Sequence, residues 1–223
     1  YVNQEKRSDD LGRIKTIYHG PSFTNEEIQQ ILNDRGIQYT YESEIEHVTA
    51  ELLAQNYIIG WFQDRLEAGP RALGNRSILM SPIDPGNKDL INQKVKFREP
   101  FRPFCPSMLE EFASEYLENF RHEHFMVTSF KVKEEKKDSI PAVVHVDGTA
   151  RPQMVTEDRN ARYYKLIKAF KAISGHPVLL NTSFNIKGEP IVCTPRDAIK
   201  CFYDSGLDVL VLGNYMIKKR TVE

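Results

Sequence analysis

The apolar runs of this chain are too short for anything but buried strands: Tyr57-Ile-Ile-Gly-Trp-Phe62 and Val209-Leu-Val-Leu212 are among the longest. A bilayer crossing needs about 20 apolar residues in succession. No membrane segment and no signal peptide is therefore read here. With 40% of 223 residues hydrophobic, the chain can bury one large core, and two full domains are not expected. Short buried strands are predicted at 57–62, 141–146, 178–181 and 208–212.

Between these runs, helix signals recur. Thr24 with Glu27, Ser43 with Glu46 and Ser107 with Glu110 each fit the S/T-x-x-E capping box, and each opens an apolar series at near-helical spacing. Tyr163, Leu166, Ile167, Phe170 and Ile173 repeat that spacing before Gly175-His-Pro177 stops it. Thr194-Pro195 reads as an N-cap with Pro at the first helical position. The charged stretch Lys133–Asp138 reads as an exposed hairpin or loop. Strands and helices mixed without strict alternation indicate an α/β or α+β fold, a sheet layered with helices. Residues 1–18 are polar and aperiodic and the first residue is Tyr1, so they read as a linker or arm from an upstream domain, with the domain proper at 19–223.

Charge excludes some partners. Thirty Lys and Arg against 31 Asp and Glu give a formal net charge of -1, so DNA is not expected as a partner. Three cysteines, Cys105, Cys193 and Cys201, form no C-x-x-C pair; they read as small buried hydrophobes in a reducing, cytoplasmic setting, with no zinc site. His122-Glu-His124 reads as surface, and Trp61 and the phenylalanines read as core.

Four segments concentrate chemistry. In Glu67-Ala-Gly-Pro-Arg-Ala-Leu-Gly-Asn-Arg-Ser77, two glycines and a proline surround Arg71 and Arg76 just after a predicted strand. Tight backbone and guanidiniums suit an anion; the alternative is a structural turn whose arginines pair with Glu67 or Asp64. Gly69 and Gly74 have P-loop-like spacing, but Asn75-Arg76 follows where a Walker motif would place its Lys, so this is not a Walker motif. Lys94-Val-Lys-Phe-Arg-Glu-Pro-Phe-Arg-Pro-Phe104 packs Lys94, Lys96, Arg98 and Arg102 onto a stretch that Pro100 and Pro103 keep out of regular helix. Their mutual repulsion makes sense if an anion sits among them. A single-stranded nucleic-acid patch competes, and the overall acidity argues against it. His145-Val-Asp-Gly-Thr-Ala-Arg151 gathers His145, Asp147, Thr149 and Arg151 in a polar turn, where an Asx-type turn is the alternative for His145 and Asp147. Leu180-Asn-Thr-Ser-Phe-Asn185 ends a strand on Asn181, Thr182, Ser183 and Asn185, neutral groups able to line a nucleotide or a carbamoyl amide.

Together, in this order, the four segments resemble the C-terminal half of the O-carbamoyltransferases, which modify nodulation factors and antibiotics. The resemblance covers the chain from about Gly20 to Gly213. It implies a YrdC-like twisted mixed sheet layered with helices, and formation of carbamoyl adenylate and pyrophosphate from carbamoyl phosphate and ATP, with Mg2+ accompanying the nucleotide. It implies a separate N-terminal Kae1-like domain that carries the metal and transfers the carbamoyl group to a hydroxyl acceptor. By motif position Lys96, Arg102 and Arg151 are the implied catalytic residues, and Arg71, Arg76, Arg98, His145, Asp147, Thr149, Asn181, Ser183 and Asn185 bind substrate. No protein metal ligand is implied in this part, and a homodimer is left open. The competing readings are a non-catalytic nucleotide-binding module that docks on a partner domain and, more remotely, an RNA-binding YrdC-like domain. Pro152, Met154 and Cys105 depart locally from the family pattern.

Overall fold

The computed structural model describes residues 16–99 and 102–219. Its strands are β1 (Thr40–Tyr41), β2 (Ile59–Phe62), β3 (Arg76–Met80), β4 (Cys105–Leu109), β5 (Phe130–Lys131), β6 (Thr149–Ala150), β7 (Gln153–Val155), β8 (Val178–Ser183), β9 (Val209–Leu212) and β10 (Tyr215–Lys218). Eight of them form one mixed sheet in the order β1-β10-β9-β2-β3-β8-β4-β7, and β5 pairs with β6 separately. The pairs β2–β9 and β4–β7 are parallel; the others in the large sheet are antiparallel.

Alternation along the strands sorts the core into two layers. Ile59, Trp61, Leu79, Leu179 and Val211 pack on one face with α2 (Ile45–Ala54) and α6 (Ala161–Ser174), through residues such as Leu53, Leu166 and Phe170. Ile78, Met80, Leu180, Leu210 and Leu212 face the other way, toward α1 (Asn25–Asp34), α3 (Asn87–Ile91) and α7 (Pro195–Tyr203) and the chain between β4 and β7, which includes the short helices α4 (Ala113–Tyr116) and α5 (Glu134–Lys137). No helix among the described residues is long and apolar enough to cross a membrane.

The helices that carry these layers start where local chemistry satisfies their first N–H groups. Thr24 Oγ1 accepts from Glu27 N, and Glu27 Oε2 accepts from Thr24 N at 2.8 Å. Thr194 and Asp197 form the same reciprocal box with Pro195 inside the first turn. Asn160 Oδ1 caps α6 by accepting from Tyr163 N at 3.1 Å, and Gly175 ends it.

The other two expected boxes do not form. Helix α2 takes Glu44 rather than Ser43 as its N-cap and has no side-chain cap; Glu46 instead pairs with Arg162 Nε at 2.9 Å. Ser107 lies inside β4, fully buried, and its hydroxyl donates to Gln153 Oε1 at 2.8 Å. The strand expected at 141–146 is instead a 3-10 turn, Pro141–Val143; Ala142 N donates to Pro82 O, Ala142 and Val143 are buried without a sheet partner, and Val146 is exposed. The Lys133–Asp138 stretch is exposed or half-buried, and it contains α5 rather than a hairpin. Of the expected arm, the described residues Ile17 and Tyr18 pack against Leu73, Cys105 and Met126.

One glycine fixes how a loop sits on this sheet. Gly74 has φ +101°, and a Cβ there would lie 2.2 Å from Tyr163 Cδ1, a ring that is fully buried. Gly74→Ala is therefore expected to cost about 3 kcal/mol or more, overpacking and left-handed strain acting together. A urea unfolding midpoint equal to that of the unsubstituted protein would contradict it.

Candidate functional site

Strand direction brings six strand ends to one edge of the sheet. Phe62 pairs with both Arg76 and Leu212, Ser77 with Ser183, Cys105 with Asn181, and Ser107 with Gln153. The ends of β2, β8 and β9 and the starts of β3, β4 and β7 thus share that edge.

The loop from Gln63 to Asn75 crosses it, and its backbone is paired almost residue by residue. Glu67, 5% exposed, accepts on Oε1 from the N–H groups of Leu73 (2.7 Å), Asn75 (2.8 Å) and Arg76 (3.1 Å). Gly74 N donates to Ser77 Oγ at 3.0 Å. The carbonyls are taken by side chains: Ala72 O by Asn181 Nδ2, Leu73 O by Tyr18 OH and Gln153 Nε2, and Gly74 O by Trp61 Nε1. At the tip, Arg71 is exposed and makes no hydrogen bond or ion pair among the described residues.

Arg71 lines a cavity of about 90 Å3 together with Arg98, Arg151, Asn181, Thr182 and Ser183, with Phe104, Cys105 and Met126 among its walls. Arg98 is held in place by Asn92 Oδ1, 3.0 Å from its Nε, and by stacking 4.3 Å from the Phe104 ring centroid. Burial, then the charge of Arg102, lowers its pKa. Arg151 Nη2 lies 3.2 Å from Cys105 Sγ, and its buried Nε has no partner among the described residues. None of the three guanidiniums is ion-paired among the described residues, and no carboxylate lines the cavity. Such a set can grip a small oxyanion from several sides.

Lys96 stands beside this cavity. It ends a π-helical turn, Asn92–Lys96, and the next residue, Phe97, takes a left-handed φ of 46°. Only 6% exposed, Lys96 donates from Nζ to Asn185 Oδ1 (2.7 Å), Asn185 O (3.0 Å) and both oxygens of Ser183. Burial, and secondarily the charge of Arg98, pulls its pKa down to about 7. Ser183 Oγ donates to Asn185 Oδ1 at 2.7 Å, so Lys96, Ser183 and Asn185 form one bonded group.

Five of the expected residues stand elsewhere. Arg102 is more than half exposed and pairs with Glu99 at 3.1 Å; the cavity is lined by Arg98 in its place. Arg76 is fully buried: its guanidinium donates to the carbonyls of Gln63, Asp64, Asn75 and Pro21 and lies 3.5 Å from the Phe62 ring centroid. Burial pulls it down to about 10. Of the two structural pairings considered for this loop, Glu67 binds backbone rather than an arginine, and Asp64 offers Arg76 its carbonyl. Asp147 closes a turn, its Oδ1 accepting from Thr149 N (3.0 Å) and Thr149 Oγ1 (2.7 Å). His145 bonds Thr149 Oγ1 through Nδ1 at 3.2 Å, and burial lowers its pKa. His145, Asp147 and Thr149 are not part of the cavity wall.

Two features were not read from the sequence. A larger cleft of about 860 Å3 opens on the same edge, where Arg162 donates to Gln63 Oε1 (2.6 Å) and Asn214 Oδ1 (2.7 Å). The other is the buried Ser107–Gln153–Asn181 relay beneath the loop. Neither shows a motif: Gln63, Arg162 and Asn214, like Ser107, Gln153 and Asn181, stand far apart in the sequence. His122 and His124 both approach Glu110, at 2.9 and 3.5 Å, and no group of three or more His, Cys, Asp or Glu that could hold a metal occurs among the described residues.

Residues 50–219 match the family described as Carbamoyltransferase C-terminus. The chain belongs to this family. It is 45% identical over 225 residues to the nodulation protein NolNO of Sinorhizobium fredii, covering 98% of this chain and 33% of that protein. Over 163 residues it is 36% identical to 3'-hydroxymethylcephem-O-carbamoyltransferase of Amycolatopsis lactamdurans, covering 73% and 31%. The chain spans less than half the length of the curated relatives it matches. Among solved structures, full-length HypF in its phosphate- and nucleotide-bound form aligns with TM-score 0.52 and 16% identity, covering 82% of this chain and 22% of HypF. That likeness is one of fold, and it bears out the YrdC-like mixed sheet.

The two arginines of the loop should separate cleanly in unfolding experiments. Arg76→Leu takes the shared donor from the carbonyls of Gln63 and Asp64, while those of Asn75 and Pro21 keep Gln63 N and Leu66 N, and it removes the ring stacking on Phe62; it is expected to cost about 3 kcal/mol. Arg71→Ala should stay within about 0.5 kcal/mol, as for an exposed side chain without partners. Similar unfolding midpoints for both variants would refute this division.

Proposed function

We propose that this chain is the part of an O-carbamoyltransferase that forms carbamoyl adenylate and pyrophosphate from carbamoyl phosphate and ATP. The observation that carries the reading is the convergence of Arg71, Arg98 and Arg151 on one small cavity with no carboxylate in its wall. Holding three like charges together is unfavourable unless an anion joins them. HypF, which shares the fold, was solved with phosphate and nucleotide bound.

In this reading carbamoyl phosphate reacts with water to give carbamate and phosphate. A carbamate oxygen then attacks the α-phosphorus of ATP, and the bond to the departing pyrophosphate breaks. The chain's own contribution is positional and electrostatic: the guanidiniums hold phosphoryl oxygens, and Lys96 reaches the site through Ser183, which lines the cavity. Asn181 and Thr182 supply neutral polar groups to the wall. The cavity wall offers no set of metal ligands, so Mg2+ would enter with the nucleotide, and no step here is assigned to it. Transfer to a hydroxyl acceptor is assigned to a Kae1-like domain of the longer protein.

The test is carbamoyl-phosphate-dependent exchange of labelled pyrophosphate into ATP by the full-length protein. Exchange is expected, with a loss on the order of 10²-fold in Arg98→Ala and Arg151→Ala, the scale for removing one preorganised donor. Absence of exchange, or exchange indifferent to both substitutions, would reject the reading.

Lys96 gives a pH signature. Its free-protein pKa of about 7 means that raising pH from about 6 to about 8 removes its proton, whereas a bound anion favours the ammonium. Carbamoyl phosphate should therefore bind more weakly in the unsubstituted protein as pH rises through 7, and Lys96→Met should flatten that dependence. Calorimetric titration at several pH values measures it.

A further inference from the structure

We propose that the Glu67 carboxylate is an internal anion that fills the amide nest of residues 73–76, and that in doing so it sets the position of Arg71. Glu67 is thus a positioning residue for the anion cavity, acting through the loop rather than on substrate; the activity arm of this inference rests on the function proposed above.

Successive backbone N–H groups that converge on one point form a concavity suited to phosphate oxygens. Here three of them, from Leu73, Asn75 and Arg76, converge on Glu67 Oε1 at 2.7, 2.8 and 3.1 Å. The carboxylate comes from the start of the same loop, so the nest faces inward and is already full. Gly69 and Gly74, at φ +109° and +101°, provide the left-handed turns that let the backbone wrap it. The P-loop-like spacing of these two glycines therefore serves an endogenous carboxylate, and exogenous phosphate is left to the side chains of the cavity.

The same closure fixes Arg71. It sits within the segment that Glu67 joins end to end, next to Pro70, and has no hydrogen bond of its own among the described residues. Upstream, Ala68 N donates to Ile17 O at 2.7 Å; downstream, Leu73 N donates to Glu67. The carbonyl anchors from Asn181, Gln153, Tyr18 and Trp61 do not involve Glu67, so the loop keeps a base when the carboxylate is removed. Glu67 Oε2 is buried and has no partner among the described residues, so the hold on the backbone runs through Oε1.

The experiment compares Glu67→Ala, Glu67→Gln, Arg71→Ala and the Glu67→Ala/Arg71→Ala double variant in the full-length protein. Amide hydrogen exchange of Leu73, Asn75 and Arg76 should be slow in the unsubstituted protein, fast in Glu67→Ala, and slow again when formate, small enough to enter the vacated nest, is added. The KM for carbamoyl phosphate should rise on the order of 10²-fold in Glu67→Ala, the scale of a misplaced positioning group, with a smaller change in kcat and recovery in formate. In the Arg71→Ala background, Glu67→Ala should add nothing to KM. Unchanged amide exchange overturns the nest, and an equal KM penalty with or without Arg71 overturns the link to that residue. Should Glu67→Ala not fold, Glu67→Gln, which keeps one acceptor oxygen, should show a partial version of both effects; a folded Glu67→Gln identical to the unsubstituted protein in both overturns the proposal. If the unsubstituted protein performs no pyrophosphate exchange, the proposed function fails, and the inference is judged instead by amide exchange and by calorimetric binding of inorganic phosphate to the same four variants.

Discussion

A buried backbone must find a partner for every N–H and C=O, and in this protein that requirement is met most tightly where the chain has no regular structure. The segment from Ala72 to Ser77 is buried, yet only its last two residues belong to a strand. Its polar groups are answered by Glu67, Ser77, Asn181, Gln153, Tyr18 and Trp61, side chains drawn from the loop itself, four strands and the N-terminal segment. Each would be an expensive orphan without the loop, and the loop would be unable to bury itself without them. The polar relay and the loop conformation are therefore one structure, and Arg71 directly precedes its buried part.

The cations around the cavity are held by different means, and the differences follow from their surroundings. Arg98 rests on an aromatic ring and an amide, Arg151 on a thiol, Lys96 on a cage of neutral oxygens. None of these supports carries a countercharge. Arg76 shows the contrast: only two residues beyond Gly74 in the same motif, it is enclosed by carbonyls and has Glu67 close enough to favour its charge. Motif membership alone does not separate an arginine that braces the fold from one that faces a ligand.

The parts of this arrangement that depend on neighbours in sequence were legible in it. Thr24, Thr194 and Pro195 announce their helices because a cap is a local device, and the spacing of Tyr163, Leu166, Ile167 and Phe170 gave α6 its buried face. Ser107 was misleading for the same reason: S-x-x-E describes a cap, but Ser107 sits in a strand whose partners, β7 and β8, lie far along the chain. Arg98 could not be told from Arg102 by spacing, since what separates them is the π-helical turn and the left-handed Phe97, which aim Lys96 at Ser183 and Arg98 at Phe104. Arg76 did carry a signal, as with Ser77 it leads into the apolar run Ile78–Met80 and so opens a buried strand.

The contact between Gly74 and the Tyr163 ring has a mechanical meaning. The ring is a spacer whose thickness sets how high the loop rides above the sheet, and it belongs to a helix far along the chain from that loop. Position 163 and position 74 must therefore change size together or not at all. Any displacement of α6 along its axis slides the spacer out from under the loop, so the geometry of an arginine-lined cavity is gauged by a helix that contributes no residue to its wall.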